Sequence, residues 1–292
     1  MSLSFEWKDR ISLWAEKLKS QFYIPLGVID MEAYLTFDQL NASQAMEHEF
    51  IPIPTGTKWG KKWQYGWFKG EIILPEEAQG KRIVLDIQTG GESAVYINGN
   101  IIGCRRADYI SEPHHFISDL LLAESGKAGE SYELLVETYA GHGARVCNAG
   151  PVTPGTVAPY EPGETQVELS SSTYGIWNET AYQLWLDAKM LLDVRNNIDQ
   201  NSLRTAEIDK GLKDFAIIAD FELPFGEMLE TLKDCRKRLK PLLECKNGST
   251  SPRMYVFGHS HIDIEWLWPL TETERKCART FSTQLAQMEM KF

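Results

Sequence analysis

Cysteine is scarce and scattered. The five residues, Cys104, Cys147, Cys235, Cys245 and Cys277, are odd in number and form no Cys-x-x-Cys pair. That argues against a disulfide framework and fits reduced thiols in a cytoplasmic protein. Basic blocks are missing as well. The chain carries a net charge of -11 with no Lys/Arg cluster, which excludes nucleic acid and anionic membrane as partners, since both need concentrated positive charge. No apolar run approaches the roughly 20 residues of a membrane span. No basic start leads into an apolar segment, so no signal peptide is expected. The sequons at Asn41, Asn178 and Asn247 are accordingly read as chance.

Apolar and aromatic residues are plentiful. Hydrophobic residues make up 43% of the 292 positions and aromatics 11%, enough for a sizeable core and more than one domain. Residues 4 to 22 carry Trp7, Ile11, Trp14 and Leu18 at helical spacing. The helix they predict would bury that stripe, most simply against the domain that follows. Tyr23 to Phe50 has no clear period and is read as an arm of loop and short helix.

From Ile51 to Gly150 the pattern turns to β. Runs at 66–75, 82–87, 93–103 and 132–139 are separated by turn residues, and Asn98-Gly99 is the pair a type I′ hairpin prefers. Short strands so spaced predict an antiparallel sandwich. Trp59, Trp63, Tyr65 and Trp67 could form a sugar-stacking platform, but core packing is the simpler expectation. His114-His115 is a poor metal candidate, because neighbours on a strand face opposite ways. Residues 151–177 are rich in Pro and Gly and read as an irregular connection. Residues 178–250 hold three amphipathic runs. They are Tyr182-Trp185-Leu186-Met190 continuing to Val194, Ile208-Leu212-Phe215-Ile218, and Met228-Leu232-Cys235-Leu239-Leu242. They predict a helical bundle or connector. The aspartates among them (187, 193, 199, 209, 214 and 220) are read as a solvated face.

The stretch with chemistry is Tyr255-Val-Phe-Gly-His-Ser-His-Ile-Asp-Ile-Glu-Trp-Leu-Trp-Pro269. Met254 to Phe257 reads as a buried strand ended by Gly258. His259, His261 and Asp263 follow at i, i+2 and i+4, so an extended chain turns all three to one side. Imidazole nitrogen and carboxylate oxygen are what a zinc-type ion takes in catalytic sites. The bland alternative is a pair of loop histidines bonded to backbone. Thr271 and Glu274 have capping-box spacing, and Cys277, Phe281, Leu285 and Met288 form one face of a helix. Trp266 and Trp268 between them suit a sugar pocket or simple loop packing.

Gly258-His-Ser-His-Ile-Asp-Ile-Glu-Trp-Leu-Trp-Pro-Leu270, followed by Arg275-Lys-Cys-Ala-Arg-Thr-Phe-Ser282, resembles the opening of the catalytic domain of class II α-mannosidases, glycoside hydrolase family 38. The resemblance implies a zinc-dependent retaining glycosidase on a β/α barrel-like domain. It implies that His261 and Asp263 bind zinc, that Trp266 lines the sugar site, and that His259 stands beside the metal without ligating it. The nucleophile and the acid/base are expected downstream. The β region, with Trp59-Gly60, Trp63 and Trp67-Phe68, resembles the jelly-roll, galactose-binding-like modules attached to many glycoside hydrolases, including α-mannosidases.

The expected fold is multidomain α and β. It comprises an N-terminal helix and arm (1–50), an antiparallel β-sandwich (51–150), a connection (151–177) and a helical segment (178–250). The first βα unit of a truncated β/α barrel follows (251–292). A barrel needs on the order of 200 residues, so the chain alone is expected to be inactive. The implied partner of the complete protein is a mannose-containing oligosaccharide, and a homo-oligomer is compatible with it. Two other readings stay open. One is a metallohydrolase of the amidohydrolase type, which also places His-x-His after a first barrel strand. The other is a non-catalytic carbohydrate-binding or assembly module.

Overall fold

The computed structural model describes residues 3–105, 120–141, 165–246, 248–259, 261–265 and 268–289. The chain divides into two units, one of residues 1–24 with 177–258, the other of 25–176 with 259–292. His114, His115 and Trp266 lie outside the described residues.

The second unit is built on strand alternation. Its strands are β1 (Tyr23–Val28), β2 (Glu32–Thr36), β3 (Ile51–Pro52), β4 (Lys58–Trp59), β5 (Tyr65–Ile73), β6 (Ile83–Asp86), β7 (Glu92–Ile97), β8 (Asn100–Arg105), β9 (Leu121–Ala123), β10 (Ser131–Tyr139), β11 (Val167–Glu168) and β12 (Thr173–Trp177). A six-stranded sheet runs β3-β2-β5-β10-β7-β8, and a four-stranded sheet runs β1-β12-β6-β9. The central pairs are antiparallel, with Val136 opposite Phe68 on one side and Val95 on the other. Phe68, Ile72, Leu134, Val136 and Val95 point inward and meet Ile83, Leu85 and Ile87 in one core. Burial of each such side chain contributes about 2 kcal/mol. Asn98 and Gly99 join β7 to β8 with φ of 50° and 79°, as a type I′ turn requires.

The six-stranded sheet is covered on its outer face too. Because side chains alternate, Tyr65, Trp67, Leu135, Glu137 and Tyr139 all project away from the sandwich core. A short helix α2 (Ala42–Ala45), capped by Asn41 and Gln44 in a capping box, brings Ala45 onto Trp67 and Leu135. The arm expected as loop and short helix at 23–50 does hold a short helix, α2, and besides it contributes two strands, β1 and β2, to the two sheets. Trp59, Tyr65 and Trp67 are buried as core residues, while Trp63 keeps 36% of its surface exposed and stacks on Tyr139. The four rings do not form an open platform.

The first unit is helical: α1 (Phe5–Lys19), α3 (Glu179–Asn197), α4 (Leu203–Ile218) and α5 (Phe225–Leu243). The expectation that α1 would lie on the sandwich is corrected here. Ile11 and Leu18 are buried against α3 and α4. Trp14 Nε1 donates to the Ala219 carbonyl (3.0 Å), and Arg10 donates twice to that of Ala216. These side chains satisfy carbonyls at the end of α4 that the helix itself leaves unbonded. Phe22 packs among Trp177, Tyr182 and Trp185. Asn178 caps α3 and Ser202 caps α4. Ile208, Leu212 and Phe215 are fully buried, as are Leu232, Cys235 and Leu239. On α3 the buried face is Leu184, Trp185, Ala188 and Leu191, and Met190 is exposed.

One aspartate departs from the solvated face expected of it. Asp209 is buried and accepts from Arg195 Nε (2.8 Å), which is equally buried. Asp187 and Asp214 are half-buried partners of Arg236 and Arg238. Asp193, Asp199 and Asp220 are exposed.

Candidate metal and sugar site

The site is expected after a buried strand, and that strand is not formed. Met254, Tyr255, Val256 and Phe257 are 77–86% exposed and carry no strand pairing. An apolar run becomes a strand only when neighbours supply ladder bonds and cover its faces. The described residues offer neither.

Past Gly258 the described residues have no regular element, and of the three side chains expected on one side only His261 and Asp263 meet. His261 Nε2 and Asp263 Oδ1 lie 3.0 Å apart. Both side chains face solvent, at 72% and 43% exposure. His259 is exposed and makes no hydrogen bond with either among the described residues. Glu265 then takes a positive φ of 53°, a left-handed conformation uncommon for a residue other than glycine.

A tetrahedral ion holding two N/O ligands at about 2.1 Å keeps them about 3.4 Å apart. The His261–Asp263 pair comes within a small adjustment of that span and supplies the right donor types. Among the described residues no group of three or more His, Cys, Asp or Glu is placed to hold a metal ion. The pair thus fits as two ligands of a site that needs more.

Helix α6 (Leu270–Glu289) forms as expected, with its orientation reversed. Cys277 is half-buried, and Phe281, Leu285 and Met288 point outward and are exposed. The opposite face, Glu272, Arg275, Lys276, Arg279 and Thr283, lies on the outer face of the six-stranded sheet. Lys276 Nζ donates to Glu92 Oε2 (2.6 Å) and Arg279 Nε to Glu92 Oε1 (3.1 Å). Arg279 also pairs with Glu272, and Arg275 with Glu137. Tyr65 donates to Glu272 Oε2 (2.5 Å), and Thr283 to Cys104 Sγ (2.9 Å). Thr271 is inside the helix and accepts from Gln39 Nε2 (2.9 Å), so the Thr271/Glu274 capping box is not what starts it. The loop before α6 is tied to it: Trp268 Nε1 donates to Thr273 Oγ1 (3.1 Å), and Lys276 Nζ sits 4.3 Å from the Trp268 ring centroid.

Glu137, Glu272 and Arg279 are all buried. Burial pushes the Glu272 carboxyl above the usual carboxylate range, opposed by Arg279 and the Tyr65 hydroxyl. Burial works to lower Arg279, and Glu92 and Glu272 more than offset it, so Arg279 stands above its ordinary value. Such a cluster is tolerated only because nearly every charge has a counter-charge or hydrogen bond. Sequence reasoning missed Glu92 and Glu137. The available signal was a carboxylate at 137 directly after the apolar Leu134-Leu135-Val136, with a basic 275/276/279 face elsewhere to match it.

Comparison with known proteins bears on both ends of this unit. The family described as "Alpha-mannosidase, jelly roll domain" matches residues 24–165, and "Glycosyl hydrolases family 38 N-terminal domain" matches 251–291. Alpha-mannosidase 2C1 of Mus musculus is 26% identical over 264 residues, covering 89% of this chain and 24% of its own length. Alpha-mannosidase G of Dictyostelium discoideum is 27% identical over 259 residues, covering 86% and 22%. Among solved structures, β-glucuronidase from Ruminococcus gnavus matches at 15% identity and a TM-score of 0.34, covering 54% of this chain and 29% of that one, a likeness too slight to bear on activity. The chain spans about a quarter of the length of the curated relatives it matches. It belongs to the class II α-mannosidases, glycoside hydrolase family 38, and corresponds to their N-terminal region.

Proposed function

We propose that the complete protein is a zinc-dependent retaining α-mannosidase acting on mannose-containing oligosaccharides. The supporting observation is the His261–Asp263 pair, 3.0 Å apart, within the stretch that matches the family 38 domain. His261 would give its imidazole nitrogen and Asp263 its carboxylate oxygen to zinc, with His259 standing beside them. Trp266 would line the sugar site, where an aromatic face stacks on the apolar face of a pyranose. When bound, zinc supplies a fixed positive charge for the hydroxyls of the bound sugar. A retaining glycosidase also needs two carboxyl groups about 5–5.5 Å apart, one as nucleophile and one as acid/base. The family resemblance puts both beyond the residues matched here, so the 292-residue chain by itself is expected to be inactive. A cytoplasmic location is part of the proposal, supported by the odd, scattered cysteines.

Hydrolysis of a chromogenic α-mannoside by the complete protein, with chelator and zinc add-back, tests this. Activity should vanish with chelator and return with zinc, and His261→Ala should lose both zinc and turnover. Mannoside turnover by His261→Ala with zinc still bound would refute the metal assignment.

A further inference from the structure

His261 and Asp263 have solvent-facing side chains and precede α6 by only a few residues. Helix α6 reaches the sandwich through charges, not apolar packing. Glu92 on β7 takes two cations from the helix, and Glu137 on β10 takes a third. Lys276 is the connecting piece: its ammonium bonds Glu92 at 2.6 Å and lies over the ring of Trp268, five residues past Asp263. Arg275 adds a bond to the Leu40 carbonyl (2.7 Å), and Gln39 holds Thr271 at the start of the helix. The charged contacts all fall in the first half of α6, the end nearer the metal pair in sequence, and only Thr283 adds a bond, to Cys104 Sγ, in the second half among the described residues.

We propose that Glu92 and Glu137 of the sandwich are positioning residues for the His261–Asp263 pair, acting through Lys276, Arg279 and Arg275 of α6. The proposal rests on the zinc reading above. It makes the jelly roll part of the machinery that aims the metal ligands. A metal site loses affinity when the groups that orient its ligands are released, typically by about 10- to 100-fold. A salt-bridge cluster suits this task because its geometry is directional, where an apolar contact would let the helix slide.

The test uses the complete protein. Glu92→Gln and Glu137→Gln keep size and remove charge. Each is titrated with chelator to find the free zinc at half-occupancy, and the cobalt-substituted form is read by its absorption spectrum. Circular dichroism reports whether the variant is folded. We expect half-occupancy to move to about 10-fold higher free zinc, with an altered cobalt spectrum and partial recovery in Glu92→Asp. A folded variant with wild-type zinc retention and cobalt spectrum overturns the proposal, since a purely structural role would change only the melting temperature. Should both glutamine variants fail to fold, Lys276→Met decides by the same two readouts, because it cuts the link to Trp268 and leaves Arg279–Glu272 intact. Absence of zinc from the wild-type protein would sink the functional reading and this proposal together. Unchanged variants of a zinc-binding wild type would sink this proposal alone.

Discussion

Arg195 and Asp209 show how much a single residue's neighbourhood matters. Both are buried in the helical unit and bond each other at 2.8 Å. Removing one partner strands the other charge in a poorly solvated place, at a cost of about 3–5 kcal/mol. Asp209→Leu should therefore lower stability by about that much in urea unfolding. The double change Arg195→Met with Asp209→Leu should recover most of it. A neighbour in the same unit makes a chemical prediction. Cys235 is fully buried, and burial pushes its thiol up to about 12. It should resist alkylation at pH 8 in the folded chain while exposed Cys245 reacts, as mass spectrometry would show. The raised value also has a stability sign. The unfolded thiol ionises first, so this group's contribution is intact below about pH 8.5 and is lost as pH rises toward 12.

Elements differ in how far the sequence announces them. The β7–β8 hairpin is legible because its signal is local: Asn98-Gly99 needs positive φ at both positions and has it. Gly99 has open space around the point where a Cβ would stand. Gly99→Ala should thus cost only the left-handed backbone penalty, about 1–2 kcal/mol, measurable as a lower melting temperature. The stripes of α4 and α5 are legible for the same reason, since 3.6-residue periodicity is a property of one segment. Helix α1 is legible as a helix but not in its partner. A stripe says that a face is buried and leaves open what buries it, and here the answer is α3 and α4. Helix α6 inverts the rule. Hydrophobic periodicity points to Phe281, Leu285 and Met288 as the packed face, while carboxylates on a distant pair of strands claim the polar face instead. Long-range charge complementarity leaves no periodic mark. Of the candidate site, His261 and Asp263 come together as their spacing implied, while His259, expected on the same side, makes no hydrogen bond with them among the described residues.

At the scale of the molecule, the same contrast governs which backbone is held. The sandwich strands are bonded on both edges of β5, β10 and β7. Helix α6 bonds its own amides and is clamped by Glu92 and Glu137. Residues 254–258 have neither ladder nor cover, and four large apolar side chains there face water. Amide exchange should read these states directly, since protection tracks hydrogen bonding and local opening. In the 292-residue chain, amides of β5 and β10 should be the slowest in this unit, those of 274–283 intermediate, and those of 254–258 near the unprotected rate. On the function proposed above, 254–258 should become slow in the complete protein, where a neighbouring barrel strand would supply the missing ladder. Strong protection at 254–258 in the 292-residue chain would contradict the exposed segment described here. Fast exchange at 274–283 would show that the charged clamp does not hold the helix, and the coupling of sandwich to metal pair would lose its physical basis.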